Sequence, residues 1–508
     1  MSAASLQLPH RPRRGDTLET TIVGLNAEGF GQALVTAEIG PDRVPRSYEL
    51  CVRRALPGER VRVRIEGQRR AGLVADVIAL LEPAPQRIAP RCPHFGAPGD
   101  PGLPCGGCSL QSWPYAEQLA FKRSRVQELL APAGVGAAQV APVRGQPEPW
   151  YYRNKMEYSF RRDSAGTLAL GLHPPGHAGV VLPLTRCELL SPCASALLPR
   201  LTAWAEEQAL PAYEPQRDLG FLRALTLREG KHSGERMVVL LTSDDPEVRT
   251  AAGVQPAAAL AADFARYLRR AADELGGALT SVYWTQQVAI SGQPTRFVDQ
   301  LLYGDPVLHE ELRLPGGAPL RFEIHPRAFF QPNTLQAEVL YAEVLRSALA
   351  QRDEHVTRAV DLYCGTGTIA LCLARHCQQV VGIELVPEAV ANARRNALFN
   401  GLDNVRFHAG DALQVAAREL AHGPPPELVV VDPPRSGLGP VAAEAVHRLG
   451  AQRVVYVSCS PEALARDLRA LAYYGFRVEQ VQPVDLFPQT AHVECVATLV
   501  RSPAPERA

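Results

Sequence analysis

The chain has 508 residues, and its 53 Lys plus Arg equal its 53 Asp plus Glu, so its formal net charge is zero. This length exceeds what one hydrophobic core usually serves, so two or three domains are expected. With zero net charge, the protein has no overall attraction to nucleic acid or to a membrane surface. Any such binding site therefore has to be a local patch of charge. No window approaches the ~20 apolar residues of a spanning helix, and no signal-peptide core begins the sequence. We therefore expect a cytoplasmic protein without a membrane partner. We also expect a monomer.

The N-terminal part of the chain has the pattern of a small β-barrel. Residues 15–80 alternate short β-type runs with turns rich in glycine, proline and charge, which predicts an OB-like barrel over residues 10–82. The barrel pattern and the Gly29-Phe30-Gly31 turn resemble the TRAM domain, which implies contact with single-stranded RNA. Residues 1–70 hold 12 Arg against 8 Asp plus Glu, a balance that suits phosphate binding but also an ordinary solvated face.

Two further domains are predicted after the barrel, and the whole belongs to the α/β fold class. Residues 83–325 begin with irregular structure rich in Pro, Gly and Cys and then show an amphipathic helix at 114–130 and an Ala-rich helix near 255–275, which predicts a mixed α+β central domain. From 326 to 508, apolar strand candidates alternate with helical segments, as in a parallel sheet of βαβ units. The sequence therefore predicts a Rossmann-like catalytic domain after the central domain.

A glycine-containing turn after the first strand of this domain is the candidate cofactor site. Asp361 ends the strand, Gly365 and Gly367 allow a tight turn close to a ligand, and the acidic residue Glu384 ends the next strand 23 positions after Asp361. Many turns between a strand and a helix need glycine for backbone reasons alone. This turn lacks the third glycine of a dinucleotide fingerprint and the Walker lysine, so S-adenosylmethionine is the remaining common cofactor. Glu384 would then bind the two ribose hydroxyls.

Two later strand ends place reactive side chains at the same ligand-binding edge of the sheet. Asp432 is followed by two prolines and Arg435, where enzymes that methylate exocyclic amines often carry an aromatic residue, and this argues against N-methylation. Cys459 follows the next strand, and addition of a thiolate to carbon 6 of uracil would make carbon 5 nucleophilic enough to attack a sulfonium methyl group. The hydrogen on carbon 5 must then leave to a general base, for which Glu494 is the candidate. Each residue also has an ordinary interpretation, since a strand-end cysteine is more often buried packing and Glu494 alone could be a surface residue.

Six motifs in order resemble the RNA 5-methyluridine methyltransferase family over nearly the whole chain. They are FFQPN, DLYCGTGT, GIELVPEAV, VDPPRSG, VSCSP and HVEC. The resemblance implies that Cys459 is the nucleophile and Glu494 the base, and that the uridine is flipped out of the RNA. It also implies that the pocket for cofactor and base is lined by Gln331, Tyr363, Gly365, Glu384, Asp411 and Asp432. The sequence departs from the family pattern at Ser460 and Thr368, where many members have asparagine.

A group of cysteines within the predicted central domain has the spacing of a metal site. Cys92, Cys105 and Cys108 form a C-x12-C-x2-C pattern, and Cys187 lies further along the chain. Four thiols can bind zinc or an iron–sulfur cluster, and the spacing does not choose between them. The resemblance implies a [4Fe-4S] cluster, although the insertion APGDPGLP lengthens the first gap beyond the usual family spacing. Cys193 is an alternative fourth ligand in place of Cys187. Five cysteines are expected to be packing residues: Cys51, Cys364, Cys372, Cys377 and Cys495.

The RNA partner is predicted from two further features. The segment 151–155, Tyr-Tyr-Arg-Asn-Lys, mixes aromatic rings with cations and suits contact with RNA, although it could equally form a strand with a solvated face. A barrel together with a cysteine cluster resembles the ribosomal branch of the family, which implies 23S rRNA as the substrate, with transfer RNA as the alternative. Two other functions stay open from the residues alone: methylation of another atom, independent of Cys459, and a non-catalytic role in RNA binding or assembly.

Overall fold

The structure is a computed structural model, and it describes residues 6–502 except 9, 40–43, 70–71, 101, 164, 291, 351–355 and 422. Within these residues the chain forms three seven-stranded sheets in succession, and helices accompany the second and the third. No helix in this part of the chain is both long and apolar enough to cross a membrane. The α/β class predicted from the sequence is therefore confirmed.

The first sheet encloses its own core. Its strands are β1 (Leu6–Leu8), β2 (Thr17–Thr21), β3 (Gly24–Leu25), β4 (Gly31–Ile39), β5 (Val44–Arg53), β6 (Arg60–Arg69) and β7 (Gly72–Glu82). Their order is β1-β4-β5-β7-β6-β2, and β3 pairs with the start of β4. Alternate side chains of β6, such as Val61, Val63 and Ile65, are fully buried in one apolar cluster with other strands of this sheet and with Ile22 and Ala55 of its connections. An OB-like barrel has such an apolar core on the inner face of its sheet. The likeness to the TRAM domain stays a prediction.

The second sheet follows the amphipathic helix α1 (Tyr115–Leu130), which the sequence predicted. Its elements are β8 (Lys155–Arg162), β9 (Leu168–Leu172), β10 (Leu182–Pro183), α2 (Pro192–Glu207), β11 (Leu222–Glu229), β12 (Arg236–Ser243), β13 (Glu247–Thr250), β14 (Gly253–Pro256), α3 (Ala257–Glu274), β15 (Ser281–Val288), β16 (Arg296–Gly304), β17 (Leu308–Leu312) and β18 (Leu320–Ile324). The sheet order is β10-β9-β8-β11-β12-β15-β16, and β13–β14 and β17–β18 form separate hairpins. Within the described residues of this sheet, only β12 and β15 run parallel to each other, and α3 lies in the crossover connection between them.

The third sheet has parallel strands at its centre and a reversed edge. Its elements are α4 (Thr334–Leu349), β19 (Val356–Leu362), α5 (Thr368–Ala374), β20 (Cys377–Glu384), α6 (Pro387–Phe399), β21 (Val405–Ala409), α7 (Ala412–Glu419), β22 (Leu428–Val431), α8 (Gly439–Arg448), β23 (Arg453–Ser458), α9 (Pro461–Tyr473), β24 (Phe476–Val484) and β25 (Glu494–Arg501). The order is β21-β20-β19-β22-β23-β25-β24. β22 and β23 are buried along their whole length, which explains their continuous apolar sequences. β25 runs antiparallel to β23 and to β24, a reversal that the sequence pattern did not reveal.

The reversed edge matters for the position of the site. In an open α/β sheet, ligands bind at the carboxyl ends of the parallel strands. The carboxyl ends of β19, β20, β22 and β23 carry the turns that the sequence singled out. Because β25 is antiparallel to β23, its first residue rather than its last lies at this same edge.

A buried ion pair joins α1 to the third sheet. Lys122 Nζ donates to Asp485 Oδ1 at 2.6 Å, and both side chains are fully buried. The hydroxyl of Tyr115 and the backbone N–H of Phe487 donate to the same carboxylate, at 2.8 and 3.1 Å. Burial lowers the pKa of Lys122, and the charge of Asp485 opposes that effect. The pair thus fixes the start of the loop that connects β24 with β25.

We expect Lys122→Met to lower the free energy of unfolding by about 3–5 kcal/mol, because it leaves the Asp485 carboxylate buried without its cation. The measurement is urea unfolding of the variant beside the wild type. A matched control is Arg448→Met, which removes an exposed pair with Glu444 on α8 and should cost less than about 1 kcal/mol. Equal effects of the two substitutions would show that the buried pair does not hold this junction.

Candidate active site

The turn after β19 has an unusual backbone that brings it close to a ligand site. Tyr363, Gly365 and Gly367 have φ values of 64°, 54° and 84°, and a non-glycine residue such as Tyr363 rarely adopts this region. A Cβ on Gly367 would lie 2.7 Å from the Phe407 ring, so this glycine is required for packing. Gly365 has open space on that side, and its N–H donates to Glu384 Oε2 at 3.1 Å. The ends of β19 and β20 are thus joined at the predicted cofactor site.

A cavity of 1140 Å³ opens beside this turn. Its walls include Phe329, Tyr363, Gly365, Glu384, Val386, Asp411 and Asp432. Asp411 Oδ1 accepts from two backbone N–H groups in the first turn of α7, at 3.1 and 3.0 Å, so this carboxylate is fixed. Glu384 Oε1 accepts from the N–H of Val386 at 2.9 Å. Two fixed carboxylates between aromatic and apolar walls fit the hydroxyls, the adenine and the charged tail of S-adenosylmethionine.

A second cavity of 380 Å³ adjoins the first. It is lined by Gln331, Asp432, Arg435, Cys459, His492 and Glu494, among others. The two cavities share a wall formed by Phe329, Tyr363, Gly365, Thr366, Asp432 and Pro434. Every cofactor and catalytic residue predicted from the sequence thus lies on one of the two cavities, and Gln331 lies on the smaller one. We refer to the larger as the cofactor cavity and to the smaller as the catalytic pocket.

Strand register brings Cys459 and Glu494 together. Ser458 pairs with Cys495 in the antiparallel ladder of β23 and β25, and Cys459 and Glu494 are the next residues at that end. Ser460 then caps α9, because its Oγ accepts a backbone N–H of the first turn at 3.2 Å. Serine serves this cap as well as the asparagine of many family members does. Cys459 is therefore held between the end of a strand and the start of a helix.

Burial and like charges raise the pKa values of the acidic groups in the catalytic pocket. Burial raises the pKa of Glu494 to about 8, and the charge of Asp432 adds to this effect. Burial also raises the pKa of Cys459 to about 11, with contributions from Glu494 and Asp432. The Arg435 guanidinium acts in the opposite direction on both Cys459 and Glu494. Both groups can therefore hold a proton near neutral pH, and Arg435 is the neighbouring cation that favours their ionised forms.

Phe487 completes the catalytic pocket, and no sequence motif singled it out. It lies in the loop between β24 and β25, and its ring meets the His492 ring edge-on with centroids 6.0 Å apart. The Arg153 guanidinium lies 5.5 Å from the centroid of the same ring. Burial and the charge of Arg435 lower the pKa of His492, which favours the neutral form of this side chain. The only sequence signal for Phe487 is its place shortly before the HVEC motif.

The structure brings together the four cysteines that the sequence grouped. Cys92, Cys105, Cys108 and Cys187 line one small cavity beside the second sheet. Cys193, the alternative ligand, points elsewhere, with its Sγ 3.6 Å from a backbone carbonyl at the end of α3. Burial raises the pKa of all four grouped thiols. In the described ranges no three His, Cys, Asp or Glu side chains are placed to hold a single metal ion.

A third cavity, of 650 Å³, lies between strands of the second sheet, the turn before β4 and the loop before β25. Its walls include Phe30, Cys108, Arg153, Lys155, His173, Pro332 and His492, of which the last two also line the catalytic pocket. In the segment 151–155, Tyr152 and Asn154 are buried, and Arg153 and Lys155 line the cavity. Cations on a cavity that adjoins the catalytic pocket suit a phosphate backbone.

Comparisons with known proteins give matches over most of the chain. Family models described as tRNA (Uracil-5-)-methyltransferase and Methyltransferase domain match residues 425–502 and 353–422. An uncharacterized RNA methyltransferase of Protochlamydia amoebophila is 37% identical over 87% of this chain and 98% of its own length. Another, of Halalkalibacterium halodurans, is 33% identical over 96% of this chain and 97% of its own length. The crystal structure of Pyrococcus abyssi tRNA (uracil-54, C5)-methyltransferase in complex with S-adenosyl-L-homocysteine is 26% identical, with a TM-score of 0.67, over 95% of this chain and 100% of that chain.

These similarities agree with the motifs and the fold. The two relatives are both RNA methyltransferases and match this chain nearly from end to end. The uracil-5 family model covers the strands that carry Cys459 and Glu494. The resemblance inferred from the six motifs is thereby confirmed, and the chain belongs to the S-adenosylmethionine-dependent RNA uracil-5-methyltransferase family.

Proposed function

We propose that the protein methylates carbon 5 of a uridine with Cys459 as the nucleophile and Glu494 as the general base. The observation that carries this proposal is the placement of Cys459 beside Glu494 in a pocket that shares a wall with the cofactor cavity. A uracil in the catalytic pocket would meet the thiol and the carboxylate within the pocket and the methyl donor across the shared wall. Neither methylation of another atom nor simple RNA binding needs this pairing.

In the proposed mechanism, Cys459 first loses its thiol proton to solvent. Its thiolate then adds to carbon 6, and the electron pair of the carbon 5–carbon 6 double bond shifts toward carbon 5 and the carbonyl at carbon 4. Carbon 5 then attacks the sulfonium methyl group, and the electron pair of the broken bond stays on the neutral thioether that leaves. Arg435 supports the first step, because its charge opposes the rise in the pKa of Cys459 that burial causes. Flipping of the uridine out of the RNA gives the thiol access to carbon 6.

Glu494 completes the reaction. It removes the hydrogen of carbon 5 as a proton, the electron pair of that bond restores the double bond, and the thiolate of Cys459 is expelled. The pKa of Glu494, raised to about 8, lies close to the working pH, where a general base combines availability with proton affinity.

We propose 23S ribosomal RNA as the substrate. The third cavity would extend the RNA contact beyond the catalytic pocket, and the turn before β4 and the loop at Cys108 form part of its wall. A barrel combined with a cysteine group supports the ribosomal branch of the family. Transfer RNA is the second candidate, because the solved relative that matches over the whole chain is named a tRNA (uracil-54, C5)-methyltransferase.

We propose that Cys92, Cys105, Cys108 and Cys187 hold a [4Fe-4S] cluster. Four thiols around one cavity are the donor set that such a cluster takes. Zinc also accepts four thiolates, and the choice of the cluster over zinc rests on the resemblance of this cysteine pattern to that of the family. Its role would be structural, because methyl transfer needs no electron transfer.

We expect 5-fluorouridine-substituted RNA and S-adenosylmethionine to give a covalent complex with the wild-type enzyme on a denaturing gel. Fluorine on carbon 5 cannot leave as a proton, so the adduct persists. Cys459→Ala should give no complex, whereas Cys193→Ala should behave as the wild type. Glu494→Gln should accumulate the adduct even on ordinary RNA.

Ribosomal and transfer RNA are compared in the same gel, and the one that forms the complex identifies the substrate. Methyl transfer without any complex, or with a product unmodified at carbon 5, would refute the covalent mechanism. Absence of methyl transfer from total RNA would favour the non-catalytic role.

We expect kcat at saturating S-adenosylmethionine and RNA to rise with pH through about 8, because Glu494 removes the carbon 5 hydrogen only after losing its own proton. Asp432 raises the pKa of Glu494, so Asp432→Asn should move this inflection to lower pH. The measurement is the pH profile of both enzymes. If the inflection stays at the same pH in Asp432→Asn, a group other than Glu494 causes the rise in activity.

We expect anaerobically purified protein to contain about four irons per chain and little zinc. Cys108→Ser should lose this iron, and Cys193→Ser should retain it. Elemental analysis and the visible absorption spectrum provide the measurement. Zinc without iron would overturn the cluster assignment.

A further inference from the structure

The loop between β24 and β25 is held by residues far away in the sequence. We propose that Gln118 and Gln489 are positioning residues that set Glu494 and His492 for proton abstraction, and that they link the catalytic strand to the chain next to Cys108. This inference rests on the proposed roles of Cys459 and Glu494. It adds two residues that no catalytic motif contains.

The Gln118 side chain binds both the side chain and the backbone of Gln489. Gln118 Nε2 donates to Gln489 Oε1 at 3.0 Å, and the backbone N–H of Gln489 donates to Gln118 Oε1 at 3.1 Å. Gln118 Nε2 also donates to the carbonyl oxygens of Leu110 and Trp113, at 3.1 and 2.9 Å. Gln118 is 1% exposed and Gln489 is 3% exposed. Buried amides whose partners are removed have no water to replace them, so this contact is costly to lose.

The same neighbours enforce the backbone conformation of Gln489. Its φ is 69°, in the left-handed region that side chains other than glycine rarely adopt. Its carbonyl oxygen accepts the N–H groups of Ser109 and Leu110, at 2.9 and 3.0 Å. These two residues directly follow Cys108. Such a conformation persists only where the surroundings hold it, and here they belong to the segment beside the cysteine group.

The turn at Gln489 determines where the following residues lie. Thr490 accepts the N–H of His492 on its Oγ1 at 3.3 Å and donates its own N–H to the carbonyl of Phe487 at 3.2 Å. Phe487, His492 and Glu494 all line the catalytic pocket. A general base must lie within hydrogen-bonding reach of its proton, and a displacement of about 1 Å can slow a reaction about 100-fold.

The nucleophile does not depend on this loop. Cys459 is held by β23 and by the cap of α9. A loosened loop would therefore slow proton removal by Glu494 more than thiolate addition by Cys459. The methylated covalent intermediate would then accumulate on ordinary RNA, which a general loss of stability would not produce.

The first test is Gln118→Met, which keeps the length of the side chain and removes its hydrogen bonds. We expect kcat to fall about 10- to 100-fold, the KM for S-adenosylmethionine to stay unchanged, and the covalent complex with ordinary RNA to increase on a denaturing gel. The matched control is Gln127→Met on the same helix, whose amide contacts only the carbonyl of Ala137, at 3.0 Å, in the described structure. It should behave as the wild type.

The second test is Gln489→Gly, which gives an independent result if Gln118→Met misfolds. Glycine adopts a φ of 69° without strain, so the turn remains accessible while the side-chain bond to Gln118 is lost. We expect the same direction of change in kcat and in the covalent complex. Hydrogen–deuterium exchange of residues 485–493 should increase in both variants and not in Gln127→Met.

Wild-type turnover in both Gln118→Met and Gln489→Gly would overturn the inference. So would lost turnover without more covalent complex, because the effect would then be structural. Wild-type enzyme with 5-fluorouridine RNA is run beside them. If it forms no complex, the covalent mechanism fails rather than the positioning by Gln118 and Gln489.

Discussion

The antiparallel pairing of β25 with β23 is the contact on which the catalytic pocket depends. Parallel strands bring only their carboxyl ends to the ligand edge, whereas the reversed strand brings its first residue, Glu494, beside Cys459. Side chains alternate along a strand, so a slip of one residue would turn Glu494 to the opposite face. The burial of most of β25 opposes such a slip. The buried bonds of Asp485 and Gln489 to α1 then fix the loop that enters this strand.

The electrostatics of the pocket follow from that packing. Asp432 and Glu494 are acids crowded into one poorly solvated region, and burial raises the pKa of each. Arg435 is a cation that opposes the shift at Glu494. S-adenosylmethionine carries a positive sulfonium, and Asp432 lies on the wall that the cofactor shares with the base. The donor would therefore be attracted to this wall more strongly than the neutral thioether left after methyl transfer.

Much of the third sheet could be predicted from the sequence, because strands buried on both faces have continuous apolar sequences. The turns after β19, β22 and β23 carry motifs at fixed positions, so Gly365, Asp432 and Cys459 could be placed at one edge. The reversal of β25 could not be predicted, since no local pattern encodes strand direction. The contact between Gln118 and Gln489 could not be predicted either, because it joins residues that are 371 positions apart in the sequence. Spacing grouped Cys92, Cys105 and Cys108, and the family resemblance added Cys187, while the ligand they bind stays a prediction.

The wall common to the cofactor cavity and the catalytic pocket also has a consequence for inhibition. Tyr363, Gly365 and Asp432 border both spaces, so one synthetic molecule with an adenosine at one end and a pyrimidine at the other could span them. The linked molecule would lose its translational freedom once on binding, whereas two separate molecules would lose it twice. It would therefore bind more tightly than either half alone. Selectivity over other methyltransferases would come from the pyrimidine end, because an adenosine cavity is common to this fold and a paired thiol and carboxylate beside it is not.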